Sequence, residues 1–461
     1  MGASPWPPLL ANAWCGEAAE GALALNSLAW GAKRDVAIPS QSLAAPVVDH
    51  NDWRDPRVGW GVVLADQTGL SNDALATGDD APEPVRELIA ARGGAPVFRY
   101  VPGNSKGLLR RYRVGGKPSD LNLSGERGLG TNAVPWYLLI VGSPKDIPWE
   151  VQYHLQTQAY VGRLDLDLEG LENYVGALLG EWSGSPRSAR TPLVWAVDKG
   201  HPDITRLMRK TIAERLVDKL TSDKDVDMAQ GFLTDAAATC TDLVSALVSR
   251  QPAFVMTSSH GATFPLTDPK AMGAKLGGLV DVENTVLVDQ VEAWKPSGAI
   301  WYAHACCSAG GDAVSLFAGL VDPTSTLGQT LTAIAQTGAQ TSPLARKLLG
   351  TKAPLGAFVG HVEPTFDWTL RDPVTKQTMT EHITRSLYDE LHLASRPTIG
   401  RAMAPYFAAT AGSMLDYSDA LDAIVQQGNV ALDRARTAKL LALDRLAMVI
   451  LGDPTVRLPP P

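Results

Sequence analysis

Phe254-Val255-Met256-Thr257-Ser258-Ser259-His260-Gly261 and, about forty-five residues on, Ala299-Ile300-Trp301-Tyr302-Ala303-His304-Ala305-Cys306-Cys307-Ser308-Ala309-Gly310 decide the fold class of this chain. Each is a short, unbroken apolar run that stops at a chemically useful side chain. Runs of this kind are the mark of parallel strands covered on both faces, and open parallel sheets build their sites at the carboxyl edge. The first run delivers His then Gly, the second Ala then Cys. At neighbouring strand ends, a thiol and an imidazole can pair as nucleophile and base.

Outward from these runs, strands and helices alternate. Residues 61–65, 97–101, 136–142, 192–197 and 356–360 read as strands, and 84–93, 204–220, 236–249, 288–294, 344–349, 380–393 and 430–450 as helices. This alternation predicts an α/β fold with a mainly parallel sheet covered on both faces. Residues 1–56, rich in Ala, Pro and Trp without a period, read as an N-terminal extension draped on the body. The basic stretch with Lys106, Arg110, Arg111, Arg113 and Lys117 reads as a solvated loop, with a processing or partner-contact site as the sharper alternative. Gly125-Glu126-Arg127-Gly128-Leu129-Gly130 precedes a strand instead of following one, which excludes a phosphate loop.

With 461 residues and 45% hydrophobic content the chain can bury a large core. A formal net charge of −8 argues against a general nucleic-acid surface. No run approaches the ~18 consecutive apolar residues of a membrane helix, and the N-terminus lacks the pattern of a secretory signal. Four cysteines, Cys15, Cys240, Cys306 and Cys307, are too few for a disulfide scaffold in a chain this long. A reducing cytoplasm is expected, with no nucleic-acid or membrane partner.

A thiol attacks a carbonyl as thiolate, so its site must lower its pKa or supply a base. His260 can do both. The glycine at 261 lets a backbone N–H approach a developing oxyanion, and the N–H of Cys306 completes the pair of donors. Zinc held by Cys306, Cys307, His304 and His260 is disfavoured, because adjacent cysteines do not match the usual ligand spacing. No metal or cofactor is expected. Taken singly, a buried Cys is inert packing more often than a nucleophile, and His260 alone is equally compatible with a satisfied core histidine.

The His-Gly and Ala-Cys pair resembles the signature of caspase-like cysteine peptidases, and the chain is most similar to the gingipain-type branch and the bacterial CHAT proteins. Tyr137-Leu138-Leu139-Ile140-Val141-Gly142, Ile147-Pro148 and Val161-Gly162-Arg163-Leu164 resemble that family's run from an LLVGD strand through an IP turn to an IGR strand. The stretch from Leu355 to Phe366 resembles the strand that lines its specificity pocket, and Gly452-Asp453-Pro454-Thr455-Val456-Arg457-Leu458 resembles its closing GDPSLRL run. The resemblance implies a three-layer α/β/α sandwich at 189–461, preceded by a smaller α/β subdomain at 57–188. It implies a cysteine endopeptidase working through a thioester acyl-enzyme on a protein or peptide substrate. Cys306 is the implied nucleophile, preferred to Cys307 because it follows Ala305 directly. His260 is the implied base, Gly261 and Cys306 supply the oxyanion hole, and Phe366, Glu363, Trp368 and Glu150 are pocket candidates. Glu150 is the one acid between Pro148 and Gly162, so cutting after Arg or Lys is not implied. Asp289 and Asp312 are candidates to orient His260. An intracellular peptidase of this kind is expected to be held in check, with a partner, a ligand or cleavage as the activating event and the loop around Arg110 as one place for it. An idle scaffold of the same fold that binds a partner, and a hydrolase or transferase of small amides or esters, are the competing expectations.

Overall fold

The computed structural model describes residues 6–33 and 48–460. Residues 1–5 and 34–47 of the expected N-terminal extension therefore lie outside the described residues. A twelve-stranded sheet forms the body. From one edge to the other its strands are Phe232–Thr234, Leu193–Ala196, Phe254–Ser258, Ile300–His304, Ala357–His361, Met448–Gly452, Tyr160–Leu164, Tyr137–Val141, Trp60–Ala65, Val97–Tyr100, Leu108–Arg111 and Ser119–Asn122. The sheet is mainly parallel, as expected. Its antiparallel pairs are Ala357–His361 with Met448–Gly452, and the outer ribbon that Leu108–Arg111 forms with Val97–Tyr100 and Ser119–Asn122.

On either side of the antiparallel pair at the centre the strands run parallel, connected through helices or long crossovers, and the central apolar runs are buried along their length. Phe254–Ser258, Ile300–His304, Ala357–His361 and Met448–Gly452 carry no exposed residue. Each fully buried Val, Ile, Leu or Phe contributes about 1.5–3 kcal/mol relative to exposure. Helix Cys240–Arg250, capped by the Thr239 side chain, leads into the His260 strand. The terminal strand Met448–Gly452 lies between Ala357–His361 and Tyr160–Leu164, so the segments 57–188 and 189–461 share one sheet.

Several expectations need correction. The helix expected over 430–450 is Asn429–Leu446, followed by the strand Met448–Gly452. Residues 288–294 supply only a single short turn, Gln290–Ala293. The helix expected over 204–220 is interrupted by a π-helical turn, Arg209–Ala213. The basic loop is the hairpin Leu108–Arg111/Ser119–Asn122, in which Arg110 is ion-paired to Asp120 at 2.8 Å and Arg113 bonds the Thr131 carbonyl and the Asn132 side chain. Arg110 and Arg113 are thus tied to neighbouring residues, while Lys117 is exposed.

The described part of the N-terminal extension that precedes residue 34 is built into a sheet and not draped over the surface. Its strands Leu9–Trp14 and Ala18–Gly21 belong to a second, five-stranded sheet with His260–Ala262, Leu279–Val280 and Val286–Leu287. Leu9, Ala11, Asn12 and Ala13 are completely buried. No helix among the described residues is long and apolar enough to cross a membrane.

Candidate active site

Register places His260 and Cys306 at one level. Phe254–Ser258 pairs in parallel with Ile300–His304, with Ser258 opposite His304. His260 and Cys306 each lie two residues beyond that last pair, so both strands release their chemistry at the same edge. Gly261 is required there, because an added Cβ would run into the Cys306 carbonyl oxygen, with the Cys306 nitrogen 3.1 Å away. The backbone turns sharply just after Cys306: Cys307 has a left-handed φ of +55°, and the Gly310 N–H closes back on the Cys307 carbonyl at 3.0 Å. A non-glycine residue in this conformation stores strain of order ~1 kcal/mol, held by the packing around it.

His260 is fixed by Asp203. Its Nε2 lies 3.0 and 2.9 Å from the two Asp203 oxygens, and its Nδ1 is buried without a hydrogen-bond partner among the described residues. An ionised carboxylate can only accept, so Nε2 carries the proton and the Nδ1 lone pair is left to act as base. Asp203 is itself anchored as the N-cap of helix Ile204–Met208, accepting from the Thr205 N–H at 2.8 Å and the Thr205 hydroxyl at 2.6 Å. Burial pushes the Asp203 carboxyl up, but the bonds from His260 and Thr205 outweigh it and hold the group below its ordinary value. Asp203 was absent from the sequence-based candidates. The residue before a helix at the end of the strand next to the His strand was the available signal, since Asp in that place is a preferred cap.

Asp289 and Asp312 do not fill this role. Asp289 is exposed and paired with Lys347 at 2.9 Å. Asp312 accepts from the Ala313 N–H, and burial raises its carboxyl.

Cys306 is fully buried. Its Sγ accepts from the Thr365 N–H at 3.4 Å, and no hydrogen bond joins it to His260. Burial, with the acids Asp444 and Glu363 nearby, pushes its thiol well above the usual range. Cys307 is equally buried and raised, and its N–H donates to the Glu363 carbonyl at 3.3 Å. Glu363 is buried behind this turn. Its carboxyl, pushed up to about 8 by burial, accepts from the Leu316 N–H and the Ser315 hydroxyl. Phe366 is buried edge-on against Phe317 at 4.7 Å, and Trp368 lies 5.1 Å from Trp6. Glu150 faces solvent and is ion-paired to Lys106 at 3.4 Å, with its charge felt by Asp312.

Beside His260 and Cys306 lies a buried polar neighbourhood. The Nδ1 of His304 bonds the Tyr302 hydroxyl at 2.9 Å, and its ring meets His361 edge-on at 5.1 Å. Burial holds both imidazoles neutral, His304 at about 3. Asp444, also buried, is pushed up to about 7 despite Thr369 and Thr365 alongside. Among the described residues no group of three or more His, Cys, Asp or Glu could hold a metal ion. No model of a known protein family matches the chain, and no curated protein matches it.

Proposed function

We propose that this chain is a cysteine endopeptidase with a caspase-like catalytic sandwich, cutting protein substrates through a thioester. The observation that carries the reading is the set of three adjacent parallel strands whose carboxyl ends present Asp203, His260 and Cys306 in sequence across the sheet. Asp203 orients His260, the free Nδ1 accepts the thiol proton, and the N–H groups of Gly261 and Cys306 stabilise the oxyanion. Such a donor is worth about 3 kcal/mol of barrier. Burial of Cys306 disfavours its thiolate in the resting state, so attack is coupled to proton transfer instead of starting from a standing anion. The cytoplasm, where a thiol stays reduced, is the proposed compartment.

The test is incubation with an unfolded polypeptide, with new termini read by mass spectrometry. Cuts should form with the wild-type chain and with Cys307→Ala, and vanish with Cys306→Ala and His260→Ala. Cuts that survive Cys306→Ala refute the reading. The complete burial of Cys306 favours a second reading, a catalytically idle scaffold, for which no variant would cut.

A further inference from the structure

The strand Leu9–Trp14 runs through the candidate active site as an extended peptide. The Asn12 carbonyl accepts from the Cys306 N–H at 3.2 Å. Ala13 faces Gly261 in a parallel register, while the N–H of Ala262 is committed to Gly278 and that of Thr263 to Trp14. The register is therefore closed through the Gly261 N–H, which is aimed at the same Asn12 carbonyl. On the other side the Asn12 N–H donates to the Thr365 carbonyl at 3.0 Å, Ala11 bridges Phe366 in antiparallel fashion, and the Leu10 N–H reaches Asp367 at 3.3 Å. Trp14 lies with its ring 5.5 Å from that of His260. Thus one peptide carbonyl occupies the position between both expected oxyanion donors, and the backbone on either side of it is held by strand pairing.

We infer that Leu9–Trp14 is a tethered substrate that closes the cleft, and that Asn12–Ala13 is the bond this chain cuts in itself. The inference rests on the peptidase reading and extends it to a substrate class: polypeptides with Asn before the scissile bond. The Asn12 side chain is completely buried, and its Nδ2 donates to the His304 carbonyl at 3.0 Å. The neighbouring His304 and His361 are neutral. An uncharged carboxamide suits such a chamber, whereas a carboxylate placed there would be desolvated beside the buried acids Asp444 and Glu363.

In the step itself, His260 Nδ1 takes the Cys306 thiol proton as Sγ bonds to the Asn12 carbonyl carbon. The carbon–nitrogen bond to Ala13 then breaks, and the proton passes from His260 to the Ala13 amine. Water, deprotonated by His260, attacks the thioester, the water proton passes from His260 to the Cys306 sulfur, and Asn12 leaves as a carboxylic acid that gives its proton to the new Ala13 amine. One water is consumed, and no oxidant or cofactor is needed.

The experiment uses the full chain in four forms: wild type, Cys306→Ala, and two variants that evict the strand, Asn12→Arg and Ala11→Glu, with folding checked by circular dichroism. Three readouts are taken: the N-terminus after prolonged incubation, the rate of Cys306 alkylation by iodoacetamide, and hydrolysis of reporter peptides with Asn, Asp, Arg or Leu before the cut. Expected are a new N-terminus at Ala13 in the wild type but not in Cys306→Ala, alkylation at least tenfold faster in an evicting variant, and a preference of at least tenfold for the Asn reporter. Cutting with another preferred residue, or a new N-terminus elsewhere, overturns the tethered-substrate assignment and leaves the peptidase reading standing. So does alkylation and reporter cutting by wild type as fast as by both evicting variants, or a wild-type chain that stays intact. A thiol made reactive by eviction that cuts no reporter overturns the peptidase reading, and the inference with it.

Discussion

Gly261→Ala tests the geometry at its tightest point. The new Cβ would be driven into the Cys306 carbonyl oxygen, with the carbonyl carbon 2.8 Å and the nitrogen 3.1 Å away. Carbon contacts settle near ~3.5–4.0 Å, so the two strand ends must part by about an ångström. All the obstructing atoms are backbone, so no side chain can rotate out of the way. Overpacking of this kind costs about 1–3 kcal/mol of stability. The same displacement pulls the Gly261 and Cys306 N–H groups out of alignment, and a misplacement of ~1 Å or the loss of one oxyanion donor each cost about 100-fold or more in rate. The expected outcome, measured in the Asn12→Arg chain with its cleft open, is a kcat lower by about 100- to 1,000-fold and an earlier urea midpoint. Gly412→Ala is the control: it lies in helix Ala404–Asp422 with nothing within 4 Å of the added methyl. A Gly261→Ala chain with unchanged stability and turnover within about threefold of its parent would refute the argument that these donors and this close approach matter.

Three further outcomes follow from the same features. Gly412→Ala should stabilise the chain by about 0.5–1 kcal/mol, seen as a later urea midpoint, because a solvent-facing helical glycine gives way to alanine. Asp203→Asn keeps an N-cap and should leave the urea midpoint nearly unchanged, yet lower peptide hydrolysis by roughly 10⁴-fold because the carboxylate that fixes the His260 tautomer is gone. Asp444 sits at about 7 and Glu363 at about 8 in the folded chain, both raised by burial from ordinary carboxyl values. The folded state thus holds protons that the unfolded chain gives up, so their contribution is intact below about pH 4 and is lost as pH rises toward 7 and 8. Asp444→Asn should accordingly gain on the wild type between about pH 4 and 7, at up to ~1.4 kcal/mol per pH unit; parallel urea midpoints across that range would contradict it.

The juxtaposition of the His260 and Cys306 strand ends was legible because a parallel strand writes itself as an uninterrupted apolar run, and because the residues at its end follow immediately in the chain. Asp203 was harder to see: it sits on a loop, and what places it beside His260 is sheet order, which no local pattern records. Strand Leu9–Trp14 escaped notice for a related reason. Its alternation is blurred by small residues, and its partners lie near Gly261 and Phe366, hundreds of residues away. At Met448–Gly452 a buried strand follows a helix after a single residue, so a continuous apolar text hides the change of period. The ribbon Leu108–Arg111/Ser119–Asn122 reads as a loop because it is an edge, and edges carry charge that discourages pairing with other chains.

The position of Met448–Gly452 bears on how such a molecule is made. The strand that joins the two halves of the sheet is made well after both of the strands it pairs with. Until then Ala357–His361 and Tyr160–Leu164 each present an open edge where it will bind. At synthesis rates of about 5–20 residues per second, those edges stay unpaired for many seconds after their own strands emerge. The nascent chain therefore carries exposed edges until Met448–Gly452 is made, and a chain without that strand leaves the two half-sheets with no hydrogen-bonded strand between them.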